Sequence, residues 1–137
     1  MDFNKELEKE IIEFNKTQDM KHFDNILNLF PYSILRTPAY FVDDPILNKE
    51  GNIVIKKDNV MLFNIIEDKE GNKYIPVFTS HENYIKMPNI EEASIYHLEF
   101  KHIVDIFSIE SDLYGIVINP TTDSIVIEKD IIFELNE

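Results

Sequence analysis

The sequence predicts a single α+β domain spanning residues 1–137, with a mixed or mostly antiparallel sheet of about five to six strands. Three observations predict it. Apolar residues recur at helical spacing up to Phe30, and beyond Pro31 the period changes to that of short strands. Two apolar stretches, Tyr74-Ile75-Pro76-Val77-Phe78 and Gly115-Ile116-Val117-Ile118, stop abruptly in the polar pairs Thr79-Ser80 and Asn119-Pro120. A chain of 137 residues suits one hydrophobic core, and no linker or low-complexity run divides it.

Leu7, Ile11 and Phe14 fall at i, i+4 and i+7 among charged residues, giving an amphipathic helix over roughly 3–15. Thr17 or Asp19 can cap a second helix with Met20, Phe23, Ile26, Leu27 and Phe30 on its apolar face, which Pro31 ends. These two helices are expected to pack as a pair against the sheet. Ser33–Arg36 and Ala39–Val42 read as extended segments separated by Pro38, as in an edge strand or a bulge. Asn48–Asn52 reads as a turn between Ile46-Leu47 and Ile53-Val54-Ile55. Val60–Glu67 is apolar on both faces and is expected as a longer, central strand. Asp68–Asn72 then closes a hairpin onto Tyr74–Phe78. The two similar Lys-Glu-Gly-Asn turns have unrelated flanks and are not a repeat.

Thr79-Ser80-His81-Glu82 has the form of a capping box. The Thr79 hydroxyl would accept from the Glu82 N–H, and the Glu82 carboxylate would reach back to the Thr79 N–H. A short helix follows, ending near Met87-Pro88, and then a polar connection over Asn89–Ser94. Alternation in Ile95–Phe100 suits a half-buried strand, and Ile103, Val104, Ile106 and Phe107 a helix over about 100–109. After a loop at Ser111-Asp112, Gly115–Ile118 forms a strand, Asn119–Asp123 a turn, and Ser124–Glu128 the returning strand. Ile131, Ile132 and Leu135 close the chain as a short helix.

Composition narrows the function. The formal charge is −13, from 26 acidic and 13 basic residues, and Arg36 is the only arginine. Phosphate backbones and anionic membranes need clustered cations, so neither nucleic acid nor membrane is an expected partner. No apolar run approaches the roughly 20 residues that span a bilayer. The acidic start Met1–Glu6 lacks the form of a signal peptide, and a cytoplasmic location is the default reading. With no cysteine and only three glycines, there is no thiol nucleophile, no Gly-x-Ser-x-Gly elbow and no phosphate-cradling loop. No catalytic residue is assigned, no cofactor is expected, and an enzyme is the least favoured class.

The candidate site is the strand-end corner of Thr79, Ser80 and Glu82 together with Asn119 and Pro120. A helix start exposes N–H groups that can bind an anion, but a capping box satisfies those groups itself and places Glu82 where it would repel one. Asn119 can bond to its own following backbone while Pro120 fixes the turn. If the two strands are adjacent and parallel, Thr79-Ser80 and Asn119 shape one polar cleft. The histidines His22, His81, His97 and His102 lack the spacing of a helical metal site, and no metal ligand is assigned. A bend between His97 and His102 could bring both near Glu99 or Asp105. Glu91-Glu92 and Asp43-Asp44 read as solvated loop charges. Tyr96, Phe100, Phe107 and Tyr114 fit a core, or alternatively an interface.

The stretch Tyr74–Ser80, followed by Gly-Ile-Val-Ile-Asn-Pro at 115–120, resembles the amino-terminal domain of the SseB family, the enhanced serine sensitivity proteins of bacteria. The order of elements fits over nearly the whole chain, without the second domain of longer members. The resemblance implies a small bacterial α+β module with no established reaction and a regulatory or protein-binding role. The leading expectation is therefore a non-enzymatic interaction module that binds a protein partner through its acidic surface, which suits a basic protein, or through its sheet. The alternatives are a sensor of an amino acid or other anion at the Thr79-Ser80/Asn119 corner, and an immunity-type inhibitor of a basic protein. Oligomeric state stays open, since Pro38 and flanking charges could block pairing of the apolar edges.

Overall fold

Two capped helices lead into the sheet. The structure, a computed structural model, describes residues 2–41, 46–47, 53–54, 61–63, 65–87, 94–109 and 112–137. Helix α1 (Phe3–Thr17) starts at Asp2, whose carboxylate accepts from the Lys5 N–H, and it buries Leu7 and Ile11. Helix α2 (Met20–Leu29) is capped by Asp19, not Thr17, whose hydroxyl instead donates to the Glu13 carbonyl at the end of α1. The pair is joined by the Phe14 and Phe23 rings, 5.6 Å apart, and by a 2.6 Å contact between His22 and Glu10. Pro31 lies in a 3₁₀ turn, Phe30–Tyr32, that ends α2.

The remaining elements are β1 (Leu35–Phe41), β2 (Ile46–Leu47), β3 (Ile53–Val54), β4 (Met61–Phe63), β5 (Ile66–Glu67), β6 (Lys73–Val77), α3 (His81–Tyr84), β7 (Ser94–Leu98), α4 (Phe100–Ile109), β8 (Leu113–Ile118), β9 (Ile125–Glu128) and α5 (Lys129–Leu135). The α+β class is as expected. Strands pair in the orders β4-β1-β7, β2-β3 and β5-β6-β8-β9. Among the described strands only β6 and β8 are parallel. The chain reaches β8 from β6 by way of α3, β7 and α4, the kind of long connection that a parallel pair requires.

Two strand expectations are corrected. Val60–Glu67 is not one central strand. It contributes β4, at the edge of the first sheet, and β5, at the edge of the third, with Val60 and Asn64 outside the described residues. Ser33–Arg36 and Ala39–Val42 are not separate segments either: β1 runs unbroken through Pro38, with Val42 outside the described residues. The reason is the residue that faces Pro38. Arg36 and Phe78 exchange backbone hydrogen bonds of 2.9 and 2.8 Å in an antiparallel bridge. Two residues further along, that register sets Pro38 against Pro76. Neither has an N–H, so no ladder donor is stranded between them. The Pro76 carbonyl accepts from the Thr37 hydroxyl at 2.8 Å instead. The paired prolines thus let β1 and β6 meet at one bridge and then part to other partners.

The Asn48–Asn52 turn lies outside the described residues, as do Glu91-Glu92, Asp43-Asp44 and most of the Asn89–Ser94 connection. Ile46 and Leu47 do pair with Val54 and Ile53 on either side of that turn. The core gathers Leu7, Ile11 and Ile26 of the helix pair with Ile75, Val77, Ile116 and Ile118 of the parallel strands, and with Ile103, Phe107 and Ile132 from α4 and α5. Burying each of these aliphatic or aromatic side chains contributes about 2 kcal/mol, enough to fix which strand face turns inward. That choice sends the ends of β6 and β8 out beneath the start of α1.

Candidate functional site

The two strand ends lie side by side. Val77 is in register with Ile118, and the Asn119 N–H extends the pairing by donating to the Val77 carbonyl at 2.8 Å. Asn119 then takes the left-handed conformation, φ 53°, which asparagine tolerates better than most residues. Its side chain turns to Thr79. The Thr79 N–H donates to Asn119 Oδ1 at 3.1 Å, and Asn119 Nδ2–H donates to Thr79 Oγ1 at 3.0 Å. Both residues are buried, so each donor and acceptor needs such a partner. The expected bond from the Asn119 side chain to its own following backbone is replaced by this one. The turn through Pro120 closes through the backbone, with the Thr122 N–H donating to the Asn119 carbonyl at 3.1 Å.

The capping box is corrected as well. Ser80, with extended backbone, caps α3 by accepting from the Asn83 N–H at 3.2 Å. Thr79 cannot serve there, because its N–H is held by Asn119 and its hydroxyl donates to Glu8 Oε1 at 2.5 Å. Glu82 is exposed in the first turn of α3. One directed chain of hydrogen bonds therefore runs from the Asn119 amide through the Thr79 hydroxyl to the Glu8 carboxylate. Asn83 joins its rim, donating from Nδ2 to Ser80 Oγ at 3.1 Å and accepting from the Thr122 hydroxyl at 3.1 Å.

Sequence reasoning missed the contribution of α1. Asn4 binds the strand end from above: its Nδ2 donates to the Ile34 and Thr79 carbonyls, and its Oδ1 accepts from the Ile34 N–H. Between the first turns of α1, Arg36 and α3 lies an open polar hollow of about 500 Å³. A second, of about 230 Å³, continues it toward Asp123 and shares Glu8, Asn83 and Lys86 with the first. The walls of the first carry Lys5, Arg36 and Lys86 against Asp2, Glu8 and Glu82. Asp2 and Glu8 are engaged with the Lys5 N–H and the Thr79 hydroxyl. None of the three cations is in an ion pair among the described residues. The one signal in the sequence was that Arg36 is the sole arginine.

The histidines go elsewhere. His102 Nδ1 accepts from the Glu99 N–H at 3.0 Å, holding the start of α4, while His97 is exposed on β7. The partial shielding of its ring from water, and then the positive charge of Arg36, hold the His97 imidazole below its usual pKa even though the residue is exposed. Among the described residues no group of three His, Asp or Glu side chains is placed to hold a metal ion. Phe107 belongs to the core, Tyr96 and Phe100 pack against it, and Tyr114 is partly exposed with its hydroxyl donating to Glu128 at 2.9 Å.

At the amino ends of the same strands, Asp68 accepts from the Asn72 N–H at 2.9 Å and from the Tyr74 hydroxyl at 3.0 Å. Burial raises the Asp68 pKa, but these bonds together with the Glu70 N–H outweigh it and leave the carboxyl below its usual value. Tyr74 is pushed up to about 12, first by burial and then by its bond to Asp68.

What emerges is a small α+β domain with a polar groove across the carboxyl ends of its parallel strand pair. Residues 7–134 match the SseB protein N-terminal domain, and the chain belongs to that family. The match takes in Glu8, Arg36, Thr79, Ser80, Glu82, Asn119 and Pro120. Comparison with curated proteins and with solved structures gives no match. No helix among the described residues is long and apolar enough to cross a membrane.

Proposed function

We propose that the domain is a non-enzymatic interaction module that holds a protein partner in the groove between α1, α3 and the ends of β6 and β8. The observation that carries this reading is the division of labour within the groove. Its floor is satisfied internally, Thr79 with Asn119 and Glu8, while Lys5, Arg36, Lys86 and Glu82 line it outside any ion pair among the described residues. A set of buried, mutually bonded polar groups makes a rigid base, and loose charges around it make the contact surface. Thr79 is 2% exposed, so its hydroxyl is closed to a substrate despite the carboxylate beside it. The anion-sensor alternative at the corner loses support from the same bonds, because the Thr79 N–H is held by Asn119 and the Asn83 N–H of α3 by Ser80.

The charge of −13 favours a basic partner, drawn by long-range attraction and released by salt. Photo-crosslinking from native lysate tests the proposal, with a photoreactive phenylalanine placed at Glu82 or Lys86 and, for contrast, at Glu134 on α5. One basic protein crosslinked from the groove positions at low salt, lost at higher salt, and absent from position 134 is the expected result. Equal crosslinking from all three positions, or none at either salt, overturns it.

A further inference from the structure

Arg36 is the least expected residue on this surface. It is the only arginine in a chain with 26 acidic residues, it is half-buried, and among the described residues it has no carboxylate partner. Among the described residues the one hydrogen bond of its side chain is a long one, 3.5 Å from Nη1 to the Thr79 carbonyl. Guanidinium groups held on a strand at the base of a polar hollow present a planar fork that fits a carboxylate with two parallel hydrogen bonds. Lys5 and Lys86 line the same hollow and are likewise outside any ion pair among the described residues.

Resting on the interaction-module reading above, we infer that the groove recognises an acidic anchor, a single carboxylate of the partner segment seated on Arg36. The acids of the walls decide between anions. Glu8, Glu82 and Asp2 would repel a doubly charged phosphate strongly. They suit a singly charged carboxylate flanked by peptide N–H donors, which Glu8 and Glu82 can accept. The continuity of the two hollows along Glu8, Asn83 and Lys86 suits an extended peptide over a compact small molecule. The lowered pKa of His97, to which Arg36 contributes, agrees with an arginine that has no carboxylate partner among the described residues. The partner is then basic over its surface and acidic at its anchor: the first property brings it to the domain, and the second seats it.

The test uses a displayed library of random peptides of about 12 residues, long enough to lie extended along such a groove, selected against the whole chain. Groove binding is verified by amide shifts at Ser80–Lys86 and Asn119–Asp123. The selected peptides should share an Asp, a Glu or a free carboxyl terminus at one position. Converting it to Asn, Gln or the amide should weaken binding about 10- to 100-fold, as loss of a charged hydrogen-bonding partner does. Against Arg36→Gln the same conversion should cost about 2-fold or less, since the group it met is gone. Arg36→Lys, which keeps the charge and loses the fork, should fall between, and it serves if Arg36→Gln does not fold. Groove-bound peptides indifferent to these conversions would overturn the carboxylate anchor and leave the interaction module standing. Inorganic phosphate that displaces the peptides and shifts the groove amides more strongly than acetate would also overturn it. Peptides that bind only away from the groove, or a selection that yields none, would sink both.

Discussion

Thr79 and Asn119, 40 residues apart in sequence, satisfy each other across the ends of two parallel strands, one through its backbone N–H and the other through its side-chain amide. The bond pair also decides where the Thr79 hydroxyl points, because with Asn119 donating to that oxygen its hydrogen is left for Glu8. Asn119→Ala removes both bonds inside a buried site and puts a Cβ without polar help at φ 53°. The expected cost is about 2–4 kcal/mol by urea denaturation. Asn119→Gly relieves the backbone and not the bonds, so it should recover only about 1 kcal/mol of that loss. Equal stability of Gly and wild type would show that the side-chain bonds contribute nothing.

Ser80, not Thr79, caps α3, and Glu82 is exposed. Ser80→Ala should therefore destabilise by about 1 kcal/mol, as loss of a cap does, while Glu82→Gln should stay within about 0.5 kcal/mol of wild type. A capping box would reverse part of this order by making Glu82→Gln costly. Thermal or urea unfolding of the two variants distinguishes the arrangements.

The contrast between what could and could not be read from the sequence follows contact distance. Leu7 and Ile11 announced α1 because helical periodicity is local, and Phe100–Ile109 announced α4 for the same reason. Pro38 misled because its tolerance inside β1 depends on Pro76, a proline brought opposite it only by the tertiary register. Thr79 and Glu82 matched a local capping pattern, yet Asn119 and Glu8 captured Thr79 from elsewhere in the chain. That the strand ends would meet was legible from the two apolar runs and their polar stops. That Asn4, Glu8 and Arg36 would complete a groove there was not, because nothing near those residues in sequence refers to the corner.

Gly115 allows β8 and β9 to approach closely. A Cβ there would lie 2.4 Å from the Ile127 carbonyl oxygen and 3.0 Å from Glu128 Cα, both backbone atoms of the paired strand. Its φ is not the issue; space is. Gly115→Ala must push β8 and β9 apart, at a cost of about 1–3 kcal/mol. Faster amide exchange across Ile116–Ile118 and Ile125–Ile127 is the accompanying signature. A variant as stable as wild type with unchanged exchange would disprove the contact.

Tyr74 should ionise well above the ordinary phenol range. Its pKa of about 12 lies above the unfolded value of about 10. The neutral phenol therefore supports the fold fully below about pH 10, and that support is lost as pH rises through the folded value. Tyr74→Phe should remove a strongly alkaline step, near pH 12, from the ultraviolet titration and soften the alkaline loss of stability. Persistence of that step in the variant would assign it to another residue.

Arg36 and His97 are paired in the register of β1 and β7, and the same arginine that faces the groove helps to depress the histidine. Burial is the larger cause and Arg36 the second, so Arg36→Gln should raise the His97 pKa without restoring it fully. A histidine depressed in the folded state binds its proton more readily once unfolded. Stability is therefore lost as pH falls from the unfolded value, about 6.5, through the folded one, and Arg36→Gln should reduce that loss. An imidazole NMR titration of both proteins reads the shift directly. An upward movement shows that the arginine's field reaches His97 unneutralised, which is the condition the carboxylate anchor needs. No movement would mean that a carboxylate already compensates Arg36, and it would remove the physical basis of the anchor.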